Sequence, residues 1–240
     1  MGFKRIWDES CPRVWDSWEA NGVKWVLRDL SPEDDEEAAK ILLEHLCPDE
    51  VLCSLSNIVN EPDSMESIKE FWLGYLGKRM TLGCYREKDG KSQLAALNVC
   101  LVMCQGEEYH DELAGKAFIN VYKALEVVSD KVDVFKLMNI DKVLYAYGLV
   151  VKREYRGAKL GSRILAAREP LALHHGITAT STVFTGPASQ ISAERAGFST
   201  AAALSLKDLA DAGLDYPKDE TRLVKLMVKK YDCKITSSEE

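Results

Sequence analysis

The chain has 240 residues, 46% of them hydrophobic, and a formal net charge of −7. That is enough apolar material for one substantial core, and the acidic balance argues against a general nucleic-acid binder, which needs a basic face to neutralise phosphates. A cationic amine suits the charge better, and the longest apolar run, at about 94–104, is too short to span a bilayer.

Residues 1–22 hold Trp7, Trp15 and Trp18 among Asp, Glu, Pro and Gly, too aromatic a mixture for a disordered tail. They are expected to form an arm that packs on a single domain at 23–233. The N-terminal residues carry no signal-peptide core, and Ile6 stands where a myristoylation signal wants Ser or Thr. Seven cysteines, an odd number without a CxxC pair, read as reduced thiols and suggest neither a disulfide framework nor a zinc site. The expectation is a monomeric, cytosolic protein with no metal.

Residues 23–30 alternate as a first strand, and Ser31-Pro32-Glu33-Asp34 then supplies an N-cap, a Pro at the first helical position and acids in the first turn. This helix runs to about Leu46. A second is predicted over about 63–76, followed by a hairpin of strands 80–85 and 94–103 around Glu87-Lys88-Asp89-Gly90-Lys91. A charged run, Glu107, Glu108, His110, Asp111 and Glu112, precedes Phe118, Val121, Tyr122 and Leu125 at helical spacing.

After 133–141 comes the central strand. Residues 144–151 (LYAYGLVV) alternate and then become continuously apolar, while Leu160, Ile164, Leu165 and Leu171 recur at helical spacing. Between them lies a small-residue corner, Arg156-Gly157-Ala158-Lys159-Leu160-Gly161-Ser162. A helix start has orphan N–H groups and the positive end of the dipole, so small residues there let a pyrophosphate approach the backbone, with Arg156 and Lys159 able to add charge. An ordinary strand-to-helix turn would use the same glycines for backbone freedom. The corner has neither the Gly-Lys-Ser/Thr of a Walker loop nor the three glycines of a dinucleotide fingerprint.

His174-His175-Gly176 follows, where a cationic imidazole would suit the helix C-terminus and Gly176 would end it. The pair is therefore not read as an acid/base relay. A β-rich run at 177–184 leads into residues 185–198 (TGPASQISAERAGF), with Gly197 as a left-handed residue after a helix and Phe198 returning to the core. Two more strands are expected around a loop at 211–220, and a disordered tail at 234–240.

The corner, followed by strand, helix and Arg195-Ala196-Gly197-Phe198 in that order, resembles the acetyl-CoA-binding half of the GNAT acetyltransferases, whose loop pattern is Gln/Arg-x-x-Gly-x-Gly/Ala. Asp49-Glu50 after a Leu-rich helix, the Tyr155-Arg156-Gly157 corner, residues 185–198 and Leu226-Met227-Val228-Lys229-Lys230 as a last strand carry a closer resemblance to the insect arylalkylamine (dopamine-type) N-acetyltransferases. Lys159 departs from the pattern, standing where the middle Gly is usual, which a helical φ would permit.

The resemblance implies an α/β (α+β) GNAT fold: a central mixed twisted sheet of about seven strands flanked by helices and splayed at the acyl-CoA strand. It implies acetyl-CoA as co-substrate, with Leu149, Val150 and Val151 pairing with the pantetheine arm through their backbone, and Arg156, Gly157, Ala158, Lys159, Leu160, Gly161 and Ser162 holding the pyrophosphate. It also implies that the 106–130 segment roofs the acceptor amine, that Glu50 acts as general base through water, and that Thr185 and Ser189 stand near the thioester. No Tyr occupies the helix after Thr185, so the proton donor is left open. Taken singly, Glu50 also reads as a solvated acid at a helix end and Ser189 as a helix-cap hydroxyl.

The implied activity is direct acetyl transfer to a small primary amine such as dopamine, tryptamine or tyramine. Other acceptors (agmatine or a polyamine), a longer acyl donor, or a catalytically silent acyl-CoA sensor are the alternatives. Neither nucleic acid nor membrane is an expected partner.

Overall fold

The structure is a computed structural model and describes residues 2–232. The tail expected to be disordered lies outside the described residues. Eight strands form one mixed sheet: β1 (Val14–Ala20), β2 (Val23–Asp29), β3 (Leu82–Lys88), β4 (Lys91–Cys104), β5 (Lys142–Val151), β6 (Ala179–Phe184), β7 (Ser199–Ser205) and β8 (Leu223–Lys230), in the order β1-β2-β3-β4-β5-β6-β8-β7. The sheet has one strand more than the expected seven or so, because β1, from the Trp-bearing arm, adds antiparallel to β2. Trp18 stacks on Trp25 across that pair, ring centroids 6.1 Å apart.

Both faces of the sheet are covered, which is why the central strands read as continuous apolar runs rather than as a clean alternation. On β4, Leu97, Val99 and Leu101 enter the larger core, beneath α1 (Asp35–Ile41), α2 (Val51–Leu55), α3 (Pro62–Leu76) and α4 (Lys116–Ser129). Ala96, Cys100 and Val102 point the other way, against Leu160, Ile164, Ala167 and Leu171 of α6 (Leu160–His174). The short α5 (Val134–Met138) leads into β5, and α7 (Pro187–Arg195) packs beside α6. An unpredicted α8 (Leu206–Asp211) begins on a capping box, in which Ser205 and Asp208 satisfy each other's backbone N–H groups.

Two departures from regular structure shape the region around Glu50 and the later half of β5. The first helix, expected at 32–46, opens with a 3₁₀ turn at Pro32–Asp34 and closes with a wider π turn at Leu42–Leu46. The second is a splay. β5 and β6 are the sheet's parallel pair, and their register holds at one position, Leu144 with Thr180. Past that point they part, so among the described residues the later half of β5 has no strand partner on its β6 side. Among the described residues no helix is long and apolar enough to cross a membrane.

Candidate functional site

The parted ends of β5 and β6 open a cleft in the sheet, and its β5 lip is shaped by a bulge. Tyr147 and Gly148 together stand opposite a single β4 residue, between the Asn98–Leu149 and Cys100–Ala146 pairs. Gly148 takes φ +119°, and a Cβ there would come within 3.4 Å of Leu42 and of Leu46. Side chains hold the two bulge carbonyls: Trp72 Nε1 donates to that of Tyr147 at 2.8 Å and Asn98 Nδ2 to that of Gly148 at 2.7 Å. Beyond the bulge the Lys152 N–H donates to Ala95 on β4. Strand alternation then turns the backbone groups of Val150 toward β4 and those of Leu149 and Val151 toward the cleft.

β5 runs through a 3₁₀ turn at Arg153–Tyr155 into the corner. Gly157 has φ +86° and open space where a Cβ would stand. Lys159, the N-cap of α6, has φ +59° and ψ +21°. This is the left-handed region, not the helical φ expected of it, and a residue with a Cβ there costs roughly 1–2 kcal/mol. The Lys159 side chain makes no capping hydrogen bond, so the first-turn N–H groups of Leu160, Gly161 and Ser162 stand as donors at the positive end of the dipole. Gly161 allows close packing, since a Cβ there would lie 3.5 Å from Ser192 Oγ and 3.8 Å from Leu149.

Asp49 and Glu50 face different ways. Arg153 donates to both Asp49 oxygens at 2.9 Å each, and Arg156 Nη1 adds a third bond at 2.7 Å. The Arg153 hydrogen bond above all, with that of Arg156, pulls the Asp49 carboxyl down to about 2. Arg156 spends its other two nitrogens on the carbonyls of His45 and Val151, at 2.8 and 3.1 Å. Its fork therefore ties the corner to residues 45–49. His45 accepts the Arg153 N–H at Nδ1, at 3.4 Å.

Glu50 follows the π turn, its N–H donating to the Leu46 carbonyl at 2.8 Å. It caps α2: its carboxylate accepts from the N–H groups of Leu52 and Cys53 at 3.1 and 2.7 Å. The Thr185 hydroxyl donates to the same carboxylate, at Oε1. Ser189, in the first turn of α7, donates its hydroxyl to the Gly186 carbonyl at 2.9 Å.

Glu50, Thr185, Ser189 and Leu149 line one cavity of about 140 Å³, which also reaches Asn98 and Arg168. Part of its lining is aromatic: Phe71 meets Tyr147 edge-on with centroids 4.9 Å apart, and Tyr122 stacks on Tyr147 at 6.2 Å. Burial raises the Tyr122 and Tyr147 hydroxyls above their ordinary range, so both remain protonated at neutral pH. Phe71 also borders a second, acidic groove holding Glu66, Glu70, Glu107, Glu108 and Glu112. There the Asp111 carboxylate accepts from the Tyr75 hydroxyl at 2.9 Å and from that of Tyr122 at 3.0 Å. Among the described residues no cluster of three or more His, Cys, Asp or Glu side chains could hold a metal ion.

Comparison of the whole structure with solved ones decides the fold family. The insect protein assigned as arylalkylamine N-acetyltransferase 7, from the yellow fever mosquito Aedes aegypti, superimposes with a TM-score of 0.89 over 96% of this chain and 100% of its own, at 27% identity. The chain is a GNAT-fold protein resembling the insect arylalkylamine N-acetyltransferases. Arylalkylamine N-acetyltransferase 2 of Aedes aegypti matches this GNAT fold with a TM-score of 0.74 at 20% identity, over 88% and 100% of the two chains. A polyamine N-acetyltransferase of Drosophila melanogaster, which catalyses the formation of N-acetylagmatine, does so with 0.68 at 19%, over 86% and 99%. By sequence alone, no protein-family model and no curated protein matches.

Within the GNAT fold the singled-out residues fall into two groups. Glu50, Thr185 and Ser189 converge on the cavity from α2, the end of β6 and α7. Leu149 and Val151 turn backbone groups to the cleft, whereas those of Val150 face β4, and the corner from Arg156 to Ser162 lies at the start of α6. Sequence reasoning missed Trp72, Asn98 and Arg168. Two signals were there: a Gly inside a strand pattern, Gly148, marks a bulge, and Arg168 sits four residues after Ile164 on the apolar face of α6.

Proposed function

We propose that the protein transfers an acetyl group from acetyl-CoA to a small primary amine, with arylalkylamines such as dopamine, tryptamine and tyramine as the leading acceptors. The observation that carries this reading is the convergence of the Glu50 carboxylate, the Thr185 hydroxyl and an aromatic wall on one cavity, open to an unpaired strand edge beside an uncapped helix start. The residues fit the donor. An extended, amide-bearing arm would pair with the cleft-facing backbone of Leu149 and with the Val151 N–H, and a pyrophosphate would meet the N–H groups of Leu160, Gly161 and Ser162. When bound, acetyl-CoA supplies a thioester, whose carbonyl carbon is the electrophile.

An ammonium cannot attack until it loses a proton. Glu50, oriented by three hydrogen bonds, takes that proton through water. The amine nitrogen then bonds to the acyl carbon, the carbon–sulfur bond breaks, and the products are the N-acetyl amine and, after protonation, the free thiol of CoA. The Phe71, Tyr122 and Tyr147 rings suit an aromatic acceptor. A second reading, acetylation of a dicationic amine such as agmatine or a polyamine, draws on the acidic groove around Asp111 that shares Phe71 with the cavity.

Free-thiol release from acetyl-CoA, measured against a panel of arylalkylamines, diamines and agmatine, tests both. Turnover is expected with arylalkylamines; turnover with diamines alone would favour the second reading. No thiol release with any amine, together with no calorimetric binding of CoA, would overturn the acyltransferase reading. Binding without turnover would leave the protein an acyl-CoA sensor.

A further inference from the structure

Arg168 of α6 is fully buried, and its guanidinium lies across the closed end of the cleft. Nε donates to Asn98 Oδ1 at 2.7 Å, while Nη1 donates to Thr182 Oγ1 at 2.8 Å and to Thr180 Oγ1 at 3.2 Å. Thr180 passes the contact on, its hydroxyl donating to the Leu144 carbonyl at 2.7 Å, at the one register position that joins β5 to β6. Asn98 completes the circuit, since its Nδ2 holds the bulge carbonyl of Gly148 just before Leu149. One side chain is thus bonded to β6 directly and to the β5 lip through Asn98.

For stability alone this is a poor arrangement. Every acceptor is neutral, no carboxylate pairs with Arg168 among the described residues, and its Nη2 has no hydrogen-bond partner there. A buried cation without a counter-ion costs several kcal/mol, and an apolar side chain would fill the same volume at less expense. What an apolar residue cannot do is hold two diverging strands with the rigid planar fork of a guanidinium.

We propose that Arg168 is a positioning residue of the acyl-donor site: through Asn98 it fixes the Gly148 bulge, and through Thr180 and Thr182 it sets the apex, so that the Leu149 backbone and the Val151 N–H stay at the spacing the donor's arm requires. The inference rests on the acyl-CoA reading of the cleft.

The obvious variant, Arg168→Met, also removes core packing, so the decisive one is Asn98→Asp. It keeps an acceptor for Arg168 Nε and gives the cation a carboxylate partner, but replaces the donor to the Gly148 carbonyl with a repelling oxygen. The melting temperature is expected to hold or rise while CoA affinity, measured by calorimetry, falls about tenfold, equivalent to ~1.4 kcal/mol. The acyl-donor KM should rise in step. Thr182→Val should weaken CoA binding in the same direction and Thr182→Ser restore it. Folded Asn98→Asp and Thr182→Val proteins that bind CoA as tightly as the unaltered protein would overturn the inference and leave the acyltransferase reading standing. An unaltered protein that binds no CoA would remove that reading and this inference with it.

Discussion

The Thr185 hydroxyl donates to Glu50 Oε1 across 135 positions of sequence, joining the end of β6 to the cap of α2. Two backbone N–H groups at Leu52 and Cys53 hold the same carboxylate, so its orientation is set before any substrate arrives. As general base, Glu50 would be worth a factor of about 10²–10⁴ in turnover. Glu50→Gln keeps a carbonyl oxygen for the helix cap but cannot take a proton. It should lower kcat by about two orders of magnitude or more while leaving the calorimetric affinity for acetyl-CoA within about twofold. Thr185→Ser should retain most activity and Thr185→Val should lose about tenfold, the value of one oriented hydrogen bond to a charged group. Unchanged kcat in Glu50→Gln would remove Glu50 from the mechanism.

Lys159 holds φ +59° and Gly157 φ +86° in the same corner. A side chain in the left-handed region is penalised by roughly 1–2 kcal/mol, partly offset by the unfolded-state entropy that Gly brings. Lys159→Gly is therefore expected to raise the melting temperature by about 2 °C, and Gly157→Ala to lower it by a similar amount. If CoA binding by Lys159→Gly stays within about twofold of the unaltered protein across a salt titration, the contribution of this residue is its backbone alone. A marked loss confined to low salt would give the ammonium a part in holding phosphate.

The sequence carried the order of elements well because periodicity and punctuation are local. Residues 144–151 and 160–171 announce a strand and a helix, and Gly197-Phe198 announces the return to the core. The eighth strand was hidden because no residue of Val14–Ala20 is fully buried, and an edge strand shows little of the alternation that burial imposes. Glu50 and Thr185 were each visible as residues of a pattern, but their hydrogen bond is a product of tertiary structure. The Arg168–Asn98–Gly148 circuit was less visible still. It joins three elements, and nothing in local spacing says that a cation on the apolar face of a helix will reach a bulge through an Asn on a third element.

His175, at the end of α6, behaves differently from the dipole argument. Burial first, then the nearby Arg5 charge, pushes the His175 imidazole down to about 4, from an ordinary 6.5. Because the folded value is the lower one, the unfolded chain takes up the proton first as pH falls. The contribution of His175 to stability is intact above pH 6.5, declines from there to about pH 4, and is level below. Melting temperatures of the unaltered protein and of His175→Gln should therefore converge as pH drops through that window. Parallel profiles from pH 7 to pH 4 would show that the imidazole titrates normally.

Asp29 anchors the arm to the sheet. Fully buried, it accepts from Arg5 Nη1, from Trp15 Nε1 and from the Arg13 N–H, each at 2.8 Å. Arg5 also donates to the Arg79 carbonyl at 2.7 Å, so the guanidinium is pinned between β2 and the turn before β3. Asp29→Ala would strand a buried cation, and breaking such a pair costs about 3–5 kcal/mol, or a fall of about 10 °C in melting temperature. An exposed pair would contribute under 1 kcal/mol, so the size of the loss reports on burial. The double variant Arg5→Met, Asp29→Leu separates the value of the pair from the penalty of leaving half of it. If it regains most of the lost stability, the ion pair fixes how the arm docks, and the apolar contacts of Trp18 with Trp25 and of Phe3 with His175 supply the affinity.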